Sequence, residues 1–211
     1  MTEITVNSKT APNNRLSQWL FNPFRFVAGH KALLLGLAVI LASAFACSLS
    51  NTHFDGVLDV HMGPEVPLWF FFAEGLINWM CMVILLFFFA SIVSRSSFRT
   101  IDILGTQALA RWPYLITALA MLPDANRRFI EYLMSRYTQT APTVAINYTD
   151  TFIFAFAMIL TILMIVWMVA LMYRAYVVSC NIRGAKAIIT FIVSLVLAEA
   201  LSKFAILLLP V

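Results

Sequence analysis

The chain has 211 residues, 62% of them hydrophobic and 11% charged, with a formal net charge of +4 and a mean hydropathy of +0.88. Soluble domains carry roughly 25% charged residues, so polar surface is too scarce here for a water-soluble globule and a polytopic membrane protein is the class that remains. The basic residues gather at the ends of apolar segments, with no stripe of interleaved aromatics, which excludes a nucleic-acid-binding surface.

Residues 1–20 begin with the polar stretch MTEITVNSKTAPNNRL and are expected to be a disordered cytosolic tail. The following QWLFNPFRF (Gln18 to Phe26) mixes aromatics with Arg25 and suits a short interfacial segment. Residues 21–211 then form one all-α transmembrane domain. Five apolar segments are predicted as helical spans, at 32–49, 66–93, 103–122, 151–173 and 185–209. Each approaches the ~20 residues that cross ~30 Å of hydrocarbon. They must be helices, because an open strand in lipid leaves its backbone groups unpaired. The first follows some thirty residues of chain, too long an n-region for a cleaved signal peptide, so it is read as an uncleaved anchor despite Ala44-Phe45-Ala46. The third contains ALARWPYL, where Pro113 lacks the N–H that would bond Leu109 and is expected to break the helix.

Lys and Arg set the orientation. Lys9, Arg15, Arg25 and Lys31 precede the first span, and the loop after it has neither residue. Five spans with a cytoplasmic N-terminus put nine basic residues inside and three outside (Arg127, Arg128 and Arg136). Four spans, with the third segment held inside, give ten against three, so the bias alone does not choose. Depth does. At about 1.5 Å per residue from the outer ends, Glu74, Arg111, Glu199 and Lys203 all fall in a band roughly 8 Å deep. Five spans are therefore favoured, with Arg111 expected to pair with Glu74 or Glu199.

These charges, with Asn78 beside Glu74 and Gln107 on the helical face that Arg111 shares with Tyr114, form a predicted intramembrane polar cluster of Glu74, Asn78, Gln107, Arg111, Glu199 and Lys203. Its preferred reading is structural, with a transport path as the alternative. Small residues at i, i+4 (Ala38, Ala42, Ala46; Ser194, Ala198, Ser202) predict close helix contacts.

HFDGVLDVH (His53 to His61) is the ligand-like stretch. His53, Asp55, Asp59 and His61 could offer N and O ligands to a divalent ion. One short loop without a supporting second element is expected to hold none, and to be a solvated loop with Gly56 in a turn. No cofactor is implied. Cys47, Cys81 and Cys180 have no metal or disulfide spacing, although the basic residues near Cys180 could make that thiol reactive or acylated. No hydrolase, nucleotide or metalloprotease motif is present, so no enzyme is predicted.

The order of the pieces resembles the Yip (Ypt-interacting-protein) family of membrane domains, above all its bacterial members. The resemblance rests on NPFRF before the first span, LGTQALARWPYL in the third, and IVWMVALMYRAYVVSCNIRGAKAI joining the fourth and fifth. It implies five helices, a cytosolic N-terminus, no catalytic activity and a place in a bacterial inner membrane. Eukaryotic members bind prenylated small GTPases, but their Asp-Leu-Tyr-Gly-Pro signature is absent here, so that partner is not carried over. The expected role is membrane organisation or protein partnership, with the bilayer, another membrane protein or a second copy as partner. A small transporter or channel, and a metal-assisted membrane enzyme, are the alternatives.

Overall fold

The computed structural model describes residues 15–94, 96–139 and 145–210. It is all-α apart from one antiparallel pairing, β1 (Thr52–His53) with β2 (His61–Met62). The helices are α1 (Arg15–Phe21), α2 (Gly29–Ser50), α3 (Leu68–Val93), α4 (Thr100–Leu109), α5 (Trp112–Met121), α6 (Asp124–Tyr137), α7 (Tyr148–Cys180) and α8 (Ala185–Leu207). Among the described residues, α2, α3, α7 and α8 are long and apolar enough to cross a membrane, which makes this an integral membrane protein.

The third apolar segment is not one helix but two. Pro113 sits at the second position of α5, where an N–H is not required. α4 closes beforehand, with Ala110 N–H bonded to Thr106 O at 2.9 Å and Arg111 N–H to Ala108 O at 3.2 Å. At ten residues each, the halves are about 15 Å long. Residues 1–14 of the expected tail lie outside the described residues. Arg15–Phe21 are helical, and a 3-10 turn at Pro23–Arg25 buries Phe24. Trp167 of α7 holds this segment, donating from Nε1 to Leu20 O at 3.2 Å.

Contacts order the elements between two ends of the bundle. At the near end, where α2 starts, Gly105 of α4 lies against Gly29 O, and Ser94 donates to Cys180 O at 2.9 Å. At the far end, Met121 and Leu122 sit beside Leu49, Ser50 and Asn51. The broken α4–α5 thus runs the same way as α2, from near end to far end. α6 continues from it and docks on the start of α7 through Phe129 stacked on Phe154 at 4.4 Å and Arg128 to Asp150 at 2.5 Å.

The tightest contact is α2 against α4. A Cβ on Gly36 would collide with the backbone of Ala108 and Leu109, and one on Gly105 with Gly29 O and Leu33 N. This corrects part of the small-residue face predicted for α2: Ala46 is buried as expected, but Ala38 and Ala42 are exposed, and Ala32, Gly36, Ile40, Ala44 and Cys47 are buried instead. On α8, Ser194, Ala198 and Ser202 are fully buried as expected.

Candidate functional site: a re-entrant loop and the side chains that hold it

The segment between α2 and α3 folds back into the far end of the bundle. Thr52, His53, Phe54 and Val57 are buried, Val57 completely. Phe54 stacks on Tyr114 at 4.3 Å, and His53 on Phe71 at 4.8 Å. Phe54 also meets Glu74 and Asn78, which stand two to three turns into α3, about 9–15 Å from its start. The solvated loop predicted for HFDGVLDVH is therefore a plug. Its apolar residues are what the flanking Asp and His residues hide in the sequence. Burying Phe54 and Val57 contributes about 1.5–3 kcal/mol each.

A non-helical backbone at that depth must find partners for its N–H and C=O groups. Side chains from three helices supply them. Phe54 N–H donates to Glu74 Oε2 at 3.3 Å, and Asn78 Nδ2 donates to Phe54 O. Tyr114 OH donates to Val57 O at 2.6 Å, and Leu58 N–H donates to Glu199 Oε2 at 2.8 Å. Carboxylates stand where the loop offers N–H groups, and donors stand where it offers carbonyls. Gly56 lies between these anchors because Glu199 presses on it: a Cβ there would overlap the carboxylate. Gly63 is likewise covered by the His53 ring.

His53 completes the plug. Its Nε2 faces Pro64 O at 3.1 Å, and its Nδ1 faces Glu74 Oε1 at 2.8 Å. The Pro64 carbonyl can only accept, so Nε2 carries a proton, and Nδ1 shares a second with the carboxylate. Burial pushes the imidazole pKa down. The bonds to Glu74 and Pro64, with the charges of Glu74 and Asp55, outweigh this and lift it above the ordinary 6.5.

The six residues of the predicted cluster do not meet as one charge network. Glu74 and Asn78 hold the plug. Gln107 turns to α7, donating to Met172 O at 2.9 Å. Arg111 is buried at the α4–α5 break and donates to Asn78 O at 2.8 Å. It forms no ion pair within 4.0 Å among the described residues, which corrects the pairing expected with Glu74 or Glu199. Matched depth did not guarantee contact, because the plug lies between the helices and takes the acids. Lys203 lies 3.5 Å from Glu199, in the expected i, i+4 relation, and 2.5 Å from Asp59 of the loop. Pro113 is buried beside the break.

Of the four candidate metal ligands, Asp55, Asp59 and His61 bring ligand atoms within 4.8 Å of one another. His53 is turned away by Glu74 and Pro64. The Lys203 ammonium already neutralises Asp59, so the residues present fit a resident lysine better than a divalent ion. Cys180 is fully buried, which removes the accessible thiol that the reactive or acylated reading needs. The residues that sequence reasoning missed are Phe54 and Val57, and the roles of His53 and Tyr114. The signal available was the Phe54-x-x-Val57-Leu58 pattern inside an otherwise polar loop.

An open pocket of about 580 Å³ lies at the far end between the plug, the start of α3 and the end of α8. It reaches His53, Asp55, Glu74 and Lys203. Beyond Glu74 lies a separate cavity of about 20 Å³. No protein-family profile matches the chain, and no curated protein or solved structure is similar to it.

Proposed function

We propose that this chain is a non-enzymatic, Yip-like membrane protein of five crossings, with a cytoplasmic N-terminus, whose role is membrane organisation or protein partnership. The single observation that supports it is the use of the intramembrane polar groups. Glu74, Asn78, Tyr114 and Glu199 all bond the backbone of the loop, which is a holding task and not a lining for a path. The course of α4–α5 from near end to far end supports a fifth, broken crossing. The far end is then the outer face, in a bacterial inner membrane. On this reading Arg127, Arg128 and Arg136, which stand against the positive-inside bias, belong to α6, whose exposed Leu133, Met134 and Tyr137 suit a helix lying in the outer interface.

The transporter reading keeps one specific observation, the pocket that ends at Glu74. Flux separates the two. The purified protein in proteoliposomes should add no proton or cation leak to that of empty vesicles under an imposed potential. A protein-dependent leak that Glu74→Gln abolishes overturns the structural reading. Cross-linking from exposed positions of α7 and α8 in native membrane should then capture one defined partner, another protein or a second copy.

A further inference from the structure

The open pocket of about 580 Å³ at the far end falls in the range of about 300–1,000 Å³ over which proteins hold small ligands. Its lining is of two kinds. Phe70 of α3 and Phe204 and Leu207 of α8, with Val66 and Leu209 beside them, are apolar. Asp55, Glu74 and Lys203 bring charge. Trp69, Phe204 and Leu207 are exposed. An exposed Trp at the start of one span, level with large exposed apolar side chains at the end of another, marks the border of headgroups and hydrocarbon. The pocket opens at that border. Two of its three charges are already matched. Glu74 takes His53 Nδ1 at 2.8 Å and Phe54 N–H at 3.3 Å. Lys203 lies 2.5 Å from Asp59 and 3.5 Å from Glu199. Asp55 is not matched. Its one charge partner within 4.0 Å among the described residues is His61 Nδ1 at 3.7 Å, beyond hydrogen-bond reach, and its side chain is 34% exposed.

We propose that this pocket binds one amphiphile with a cationic head, an alkyl ammonium, whose charge sits at Asp55 and whose chain lies against Phe70, Phe204 and Leu207. The apolar lining sets the tail. It is too extensive for a hydrated inorganic ion and leaves a chain out of water. Charge sets the head. Asp55, Asp59 and Glu199 stand around the single ammonium of Lys203, so the neighbourhood is acidic and repels a phosphate or carboxylate head. A divalent ion would need Asp59, which Lys203 holds. A monovalent ammonium needs only Asp55, and its weaker hydration suits a site walled by Phe rings, over whose faces a cation is attracted. The proposal goes beyond the structural reading of the cluster and leaves it intact. The pocket stops at the matched His53–Glu74 pair, so the amphiphile is held and not passed on. Nor does the site depend on which side of the membrane the far end faces.

The test is equilibrium binding of radiolabelled dodecyltrimethylammonium to the full chain in a maltoside detergent, with empty micelles as the blank. The expected result is one saturable site per chain. Laurate, which has the same chain length and a negative head, should not compete, and neither should tetramethylammonium, which has the head alone. Asp55→Asn should weaken binding by about tenfold or more, the loss of one charged contact. Asp124→Asn, which removes an exposed acid of α6 away from this pocket, should leave binding unchanged and so separates the site from general surface charge. Phe204→Ser, at an exposed wall position, should also weaken it. Binding no greater than that of empty micelles overturns the proposal. So does equal competition by laurate, unaltered affinity in Asp55→Asn, or displacement of the amphiphile by stoichiometric zinc, which would make the Asp55, Asp59 and His61 group a metal site instead.

Discussion

Replacing Glu74 with leucine removes the acceptor that anchors the plug from two directions. Glu74 is 2% exposed and receives His53 Nδ1 at 2.8 Å and Phe54 N–H at 3.3 Å. Breaking a buried charged pair costs about 3–5 kcal/mol when the partner is left charged. His53 can escape part of that by losing its proton. The Phe54 N–H cannot, and an unpaired buried donor costs about 1–3 kcal/mol. A net loss of about 3 kcal/mol follows from these two effects. For a chain of this length each kcal/mol moves the melting temperature by about 2–4 °C, so Glu74→Leu should melt about 6–12 °C lower in nanodiscs. Glu74→Gln keeps an acceptor for Phe54 N–H and should lose about 1–2 kcal/mol. His53→Phe combined with Glu74→Leu should recover part of the loss, since an apolar pair replaces a broken ionic one. A melting temperature for Glu74→Leu indistinguishable from the parent's, or strictly additive effects in the pair, would refute the anchoring role.

The raised His53 pKa gives a pH dependence of definite sign. The imidazolium contributes its full stabilisation below the unfolded value of about 6.5, and loses it as pH rises through the higher folded value. Protease nicking of the loop should therefore quicken on the alkaline side, and His53→Phe should flatten the profile. Gly56→Ala drives a methyl into the Glu199 carboxylate and should cost about 1–3 kcal/mol in thermal stability. Glu199→Ser in the same chain should return part of it, whereas no recovery would mean that the two do not touch. Gly36→Val should abolish folding or lower stability sharply by parting α2 from α4. The exposed Ala38→Val should stay within about 0.5 kcal/mol of the parent in the same melting assay.

The membrane class and four of the helices were legible because runs of twenty and more apolar residues have one stable form in lipid. The break in the third segment was legible from Pro113 alone. The polar residues Glu74, Asn78, Gln107, Arg111, Glu199 and Lys203 stood out against their apolar surroundings, but their partners did not. Sign and depth suggested that charges would seek charges. Two of the acids instead serve peptide N–H groups, which leave no mark in a side-chain pattern. The α2 face was misassigned for a related reason. Ala38 and Ala42 are no more polar than Ala32 and Gly36, and a helix apolar all round carries no sign of which side meets protein and which meets lipid. The plug was hidden because Asp55, Asp59 and His61 made its loop look solvated while Phe54 and Val57 turned inward.

The loop between α2 and α3 is a buried plug held by helix side chains, and the proposed topology puts it at the outer face. Labelling of single cysteines in intact cells by a membrane-impermeant maleimide tests this most directly, with the three native thiols, all buried, as the baseline. Glu65→Cys, at an exposed position of the same loop, should label rapidly from outside, and Val57→Cys, at a fully buried one, should resist until the protein is unfolded. Equal labelling of both positions would show a solvated loop and contradict the plug. Labelling of Glu65→Cys only after the membrane is opened would place the loop on the cytoplasmic side and reverse the topology.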